Sequence, residues 1–166
     1  MTKAGVTGMS DLLERIDQAI DQMADDMSLS VMMVIAAPTI AGRPCIIRRK
    51  APGSKDAYGS TTVRPDGLPV IRIDPDLGKD TVKIYLHELA HIRLGHVDQV
   101  RRTNLHLAAP RSIPADANPS IREWENQVDD QVNEWLRYGR KHADPGDQLG
   151  IIQALYKHYK KPNKRG

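Results

Sequence analysis

"VIRIDPDLGKDTVKIYLHELAHIRLGHV", Val70 to Val97, changes its hydrophobic period midway and so predicts a strand followed by a helix. In "VIRID", Val70, Arg72 and Asp74 alternate with Ile71 and Ile73, the pattern of a half-buried strand, placed at a sheet edge. Beyond the turn residues the spacing becomes helical. Val82, Leu86, Leu89, Ala90 and Leu94 fall on overlapping apolar faces, with Asp80 standing as N-cap before Thr81. Within this helix His87 and His91 lie four apart, and Glu88 sits between them.

Upstream, "RPDGLP" predicts a turn centred on Asp66-Gly67, "TTV" a brief strand and "APGSKDAYGS" a loop. "CIIRRK" is a short strand candidate, and "SLSVMMVIAAPTIAG" is a continuous β-prone apolar run ended by Pro and Gly. From Asp11 to Met27 the residues Leu13, Ile16, Ile20, Met23 and Met27 form the buried stripe of an amphipathic helix, opened by a capping pair of Asp11 and Glu14. Downstream, pattern is lost from Asp98 to Pro119, a loop expected to be functional or mobile and placed to cover a cleft. Helical spacing resumes from Ser120 to about Lys141 through Ile121, Trp124, Val128, Val132, Trp135 and Leu136. A last helix, about Asp147 to Tyr159, carries Ile151, Ile152, Leu155 and Tyr159. The order is helix, short strands, then helices: an α+β plan with the sheet in the first half. The length predicts one domain over residues 1–166, with about 1–9 and 160–166 as flexible tails.

Composition narrows the chemistry. Phe is absent and aromatics are 4%, so the core rests on Ile, Leu, Val, Met and Ala. The single cysteine, Cys45, excludes an internal disulfide and a cysteine-rich zinc site, and points to a reducing cytoplasm. Any metal must then use histidine and carboxylate. The N-terminus lacks the apolar stretch of a secretory signal, and "VMMVIAA" is far short of the roughly 20 residues of a spanning helix. Net charge is +3, with five Lys/Arg in the last eleven residues, "YKHYKKPNKRG". That tail is expected to be a solvated end, because no aromatic stacking platform or groove-reading motif accompanies it; direct nucleic-acid contact, if any, would run through it.

Histidines four apart on a helix sit one above the other and can offer ring nitrogens to a single ion at about 2.0–2.1 Å. Glu88 is offset from His87 by about 100° of helical turn, beside the metal and free to take a proton from a bound water. Two histidines at helical spacing can also be surface decoration, so a third ligand is required. "REWENQVDDQVNEWL" supplies one: Glu125 shares a face with Val128, Asp129 and Val132, and Asp129 is placed to accept a hydrogen bond from a ligand imidazole. His96 lies about 140° round the helix from His91, so a surface or supporting role is expected for it. The metzincin pattern fails, since Leu94 and Val97 stand where it needs Gly and His.

"HELAHIRLGH" followed by "ENQVDDQVNEWL" resembles the ImmA/IrrE family of zinc-dependent metallopeptidases over roughly Val70 to Leu136. His87, Glu88, His91 and Glu125 match its ligand and general-base positions, His96 its frequent extra histidine, and Asp129 its Asn/Asp position. Val128 replaces the usual Ala, and "WLRYG" replaces the usual apolar end of the ligand helix. The resemblance implies a zincin-like fold, Zn²⁺ on His87, His91 and Glu125, and Glu88 as general base. It further implies a specific protein substrate, such as a helix-turn-helix repressor in bacterial or phage regulation, cut by a protease without its own DNA-binding domain. A rival reading takes His106, fifteen residues after His91, as third ligand in the manner of SprT-like DNA-associated proteases, although their "HG" context is missing. A third is a non-catalytic binding module with the metal structural or absent. Strand addition at Val70, Ile71, Arg72 and Ile73 is the expected mode of substrate binding. Tyr138, His142, Tyr156 and His158 are the candidates for stabilising an oxyanion.

Overall fold

The computed structural model describes residues 11–16, 28–49, 57–103, 107–110, 119–144 and 146–161. Residues 11–16 are helical (α1). Then come α2 (Leu29–Ala41), β1 (Ile46–Arg48), β2 (Ala57–Val63), β3 (Pro69–Ile73), a 3-10 turn (Gly78–Asp80) and α3 (Thr81–Arg93). They are followed by α4 (His96–Thr103), β4 (Leu107–Pro110), α5 (Pro119–His142) and α6 (Gln148–Lys160). The mixed α+β class expected from the sequence is present. No helix among the described residues is long and apolar enough to cross a membrane.

The apolar run after Ser28 is a helix, which corrects the β-prone reading. Ser28 caps it by accepting from the Val31 N–H, and Gly42, at φ 80°, closes it by donating to the Pro38 carbonyl. The run is rich in Ala and Met, good helix formers, yet Val31 and Val34 on its outer face are 46% and 53% exposed. An apolar outer face hides the 3.6-residue period that would have marked the helix. In α1, Leu13 and Ile16 are exposed and not part of a buried stripe; residues 17–27 of the expected helix lie outside the described residues.

The sheet has the order β1-β3-β2-β4. β3 runs parallel to β1 and antiparallel to β2, and β2 runs antiparallel to β4. The "VIRID" strand is therefore interior, against expectation. Val70, Ile71 and Arg72 pair with Ile46, Ile47 and Arg48 on one side and with Thr62, Thr61 and Ser60 on the other. An extended substrate cannot add to Val70, Ile71, Arg72 or Ile73, because both backbone edges are already occupied. Among the described residues, β1 and β4 are the outer strands of the sheet. β4 and α4 arise within the segment that looked patternless, where a polar helix, "HVDQVRRT", and a short strand ending in Pro110 carry little apolar signal. β2 also reaches back through "AYGS", expected as loop.

Helix α2 packs on β1, and α3 lies against β2, β3 and β4. α5 and α6 pack on α3 and α2 from the other side. Tyr85 is fully buried and ties α3 to α2 by donating from its hydroxyl to the Met33 carbonyl at 2.8 Å. Asp80 holds the N-cap position of α3 but makes no capping bond, since the 3-10 turn runs straight into the helix. One of the unsatisfied N–H groups at the helix start, that of Val82, instead donates to the Gln148 side chain at 3.2 Å. This joins α6 to the helix that carries the histidines.

Candidate metal centre

Helix α3 stacks His87 one turn before His91, and α5 crosses it with Glu125 facing both rings. The inward stripe of α5, Trp124, Val128, Val132 and Trp135, is buried in the core and fixes that orientation. His87 Nε2 lies 3.1 Å from one Glu125 oxygen, and His91 Nε2 lies 3.2 Å from the other. One ligand atom from each of the three residues falls within 4.8 Å of the others. Yet both Nε2 atoms are buried and, close as they lie to the carboxylate, neither makes a regular hydrogen bond with any of the described residues. Unpartnered buried nitrogens are costly, and their convergence on one point with a carboxylate is what a cation would relieve. These three residues can hold a metal ion. Two imidazoles and a carboxylate also leave a coordination position open, as in catalytic sites. His91 and Glu125 are buried, whereas the His87 side chain keeps 13% exposure, so the centre opens on that side.

The protonation of the support follows from geometry. For His91 Nε2 to present a lone pair to a metal, its proton must sit on Nδ1. That Nδ1 is 3.0 Å from His96 Nδ1, so His91 donates and His96 accepts. His96 then carries its proton on Nε2, 2.8 Å from the Gln127 side-chain oxygen, which accepts it. The His96 ring is 1% exposed and stacks on Trp124 at 5.1 Å. One stretch of α5 thus supplies a ligand, Glu125, a stacking surface, Trp124, and the terminal acceptor, Gln127. The angle of about 140° between His91 and His96 holds only for a continuous helix. The chain in fact turns at Leu94 and Gly95, the latter at φ 81°, and α4 restarts at His96 with its ring folded back. Asp129, expected to hold a ligand imidazole, is exposed on α5 and its charge raises His87, while the hydrogen-bond partner of His91 Nδ1 is His96. His96→Ala is expected to weaken divalent-metal affinity about 10–100-fold, with partial recovery in His96→Gln, whose amide oxygen can still accept. Competition against a chelating dye measures both.

Glu88 is buried beside the three residues that can hold a metal and is not one of them. Thr61 on β2 donates its hydroxyl to Glu88 Oε2, while Oε1 has no hydrogen-bond partner among the described residues. Gly59, two residues before Thr61, lets the strand approach: a Cβ there would lie 3.2 Å from Glu88 Oε1 and 2.8 Å from Ile84. Thr61, Gly59 and Gln127 were not singled out from sequence. Only Gly59 carried a signal, since glycine inside a strand often marks a close approach.

Electrostatics separates the two carboxylates. Burial pushes the Glu88 carboxyl up to about 7, against the nearby His87 and the Thr61 hydrogen bond. Burial would raise Glu125 too, but His87 and His91 hold it at about 2. Burial lowers His91, helped by the neighbouring His87 and His96, whereas in His87 the close Glu125 and the charges of Glu88 and Asp129 outweigh burial and raise it. A raised folded-state pKa means that ionising Glu88 costs stability as pH rises from about 4.5 through about 7. The metal-free Glu88→Gln variant is therefore expected to be more stable than wild type at pH 8, by on the order of 3 kcal/mol, and to match it at about pH 4. Denaturant unfolding at the two pH values measures this.

His106 lies outside the described residues. Tyr138, thirteen residues after Glu125 on α5, is about 20 Å further along the helix axis, and it clusters there with His142 and His158. None of these three reaches the centre. Tyr156 is buried in the core on α6. Comparison with protein-family models, with curated proteins and with solved structures finds no match to this chain.

Proposed function

We propose that this protein is a zinc-dependent endopeptidase with a zincin-like fold, of the ImmA/IrrE kind, cutting a specific protein such as a helix-turn-helix repressor. The observation that carries the reading is Glu88: a buried carboxyl, beside three converging ligand residues and outside their set, with a proton affinity near neutrality. Such a group suits proton transfer, for which a pKa near the working pH is best. A non-catalytic metal-containing module would give no use to a second carboxylate buried there at a cost.

Zinc bound by His87, His91 and Glu125 would polarise a substrate carbonyl and bring a water's pKa to about 7. Glu88 would accept a proton on Oε1, the oxygen without a partner among the described residues, while Thr61 holds Oε2 in place. The same carboxyl then returns the proton to the departing amine. His96 and Gln127 keep His91 in the tautomer that leaves Nε2 free. Extended peptides commonly bind by adding to a sheet edge. Among the described residues β4 is the outer strand next to the one that carries Gly59 and Thr61, and it contacts α3.

Incubating the zinc-loaded protein with a proteome-derived peptide library, and sequencing the new termini, tests this reading. Cleavage that recurs at a narrow set of sites is expected. A library left intact, together with a panel of repressor-type proteins left intact, would count against it.

A further inference from the structure

The far end of α5 faces α6 across an open groove of about 840 Å³ that the metal centre does not use. Arg140 and Lys141 line it from α5, and Lys157 and Lys161 from the end of α6. Asp144 and Asp147 are its acidic residues, and the Asp147 carboxylate is engaged as the cap of α6, accepting from Gly150 N–H at 2.9 Å. Basic residues are common at helix C-termini because the helix dipole favours them. That preference does not account for two such ends meeting across one concavity. Nor does it account for the rings there. Tyr138 lies 4.5 Å from His142 and 4.6 Å from His158, centroid to centroid, in a three-ring cluster on the groove wall. The sequence hid this platform, since its members come from two helices. The groove also adjoins the point where the basic C-terminal stretch leaves α6.

We propose that this groove binds single-stranded nucleic acid, the cations tracking the phosphodiester backbone and the ring cluster stacking a base. Cationic grooves with aromatic platforms are the general means of gripping such strands. An acidic polypeptide would use the cations and leave the rings without a role. The site is about 20 Å from Glu125 along α5, so binding would tether the protein without blocking the metal centre.

The test is fluorescence anisotropy of the full chain with a labelled mixed-sequence single-stranded DNA, and with its RNA counterpart, over a salt series. Binding that weakens with salt is expected, and removing one phosphate-binding cation should make the logarithmic slope shallower by about 0.7. The triple variant Arg140→Gln, Lys141→Gln, Lys161→Gln should bind at least tenfold more weakly with a shallower slope. Tyr138→Leu should bind at least fivefold more weakly with the slope unchanged. The control Arg48→Gln, Lys79→Gln, Lys83→Gln, which removes the same charge elsewhere, should bind as wild type. Wild-type binding by the Arg140, Lys141, Lys161 variant, equal weakening in the control, or no salt-dependent binding would overturn the proposal. Displacement of the strand by polyglutamate as readily as by unlabelled DNA would also overturn it, in favour of an acidic protein partner.

Discussion

Glu88→Gln is expected to keep its metal and lose cleavage by about 10²–10⁴-fold, the range that a positioned general base contributes. The substitution is nearly isosteric. Its amide oxygen can still accept from Thr61, and the space that Gly59 leaves is still filled, so His87, His91 and Glu125 should be undisturbed. What disappears is the ability to take up a proton at Oε1. Cleavage rates of the two zinc-loaded proteins on one peptide, with metal content measured in parallel, separate proton transfer from binding. Wild-type cleavage by the Gln variant would remove Glu88 from the mechanism.

Glu125→Ala should have the opposite signature, with metal and activity disappearing together. Among the described residues Glu125 is the one carboxylate of the cluster, and it faces both imidazoles. Without it the site keeps only His87 and His91, and the loss of affinity should exceed the 10–100-fold expected for an outer partner such as His96. The metal-free protein should respond as well. The Glu125 carboxyl is held at about 2 in the fold against an ordinary 4.5. Its contribution to stability is therefore present above about 4.5 and lost as pH falls towards 2. Glu125→Ala should remove that part of the acid dependence of unfolding.

What the sequence revealed depended on how strongly each pattern was tied to burial. Helix α5 was legible because it buries one stripe, Trp124, Val128, Val132 and Trp135, beside which Glu125 is also buried, and α3 because His87 and His91 repeat at helical spacing among its apolar residues. The α2 helix was not, because its apolar residues run all round it. Alternation in "VIRID" revealed a strand but not its neighbours, and only the pairing with β1 and β2 places it inside the sheet. The place of His96 beside His91 was hidden for a different reason. Helical-wheel reasoning holds only while the helix continues, and Gly95 ends it one residue before the histidine that matters. Thr61 was out of reach, since no local pattern links a strand hydroxyl to a carboxylate 27 residues away.

Elemental mass spectrometry on protein reconstituted with zinc and then desalted tests the metal centre most directly. One zinc per wild-type chain, retained in Glu88→Gln and lost in Glu125→Ala, is the predicted result. Zinc absent from the wild type, or present at full stoichiometry in Glu125→Ala, would contradict it.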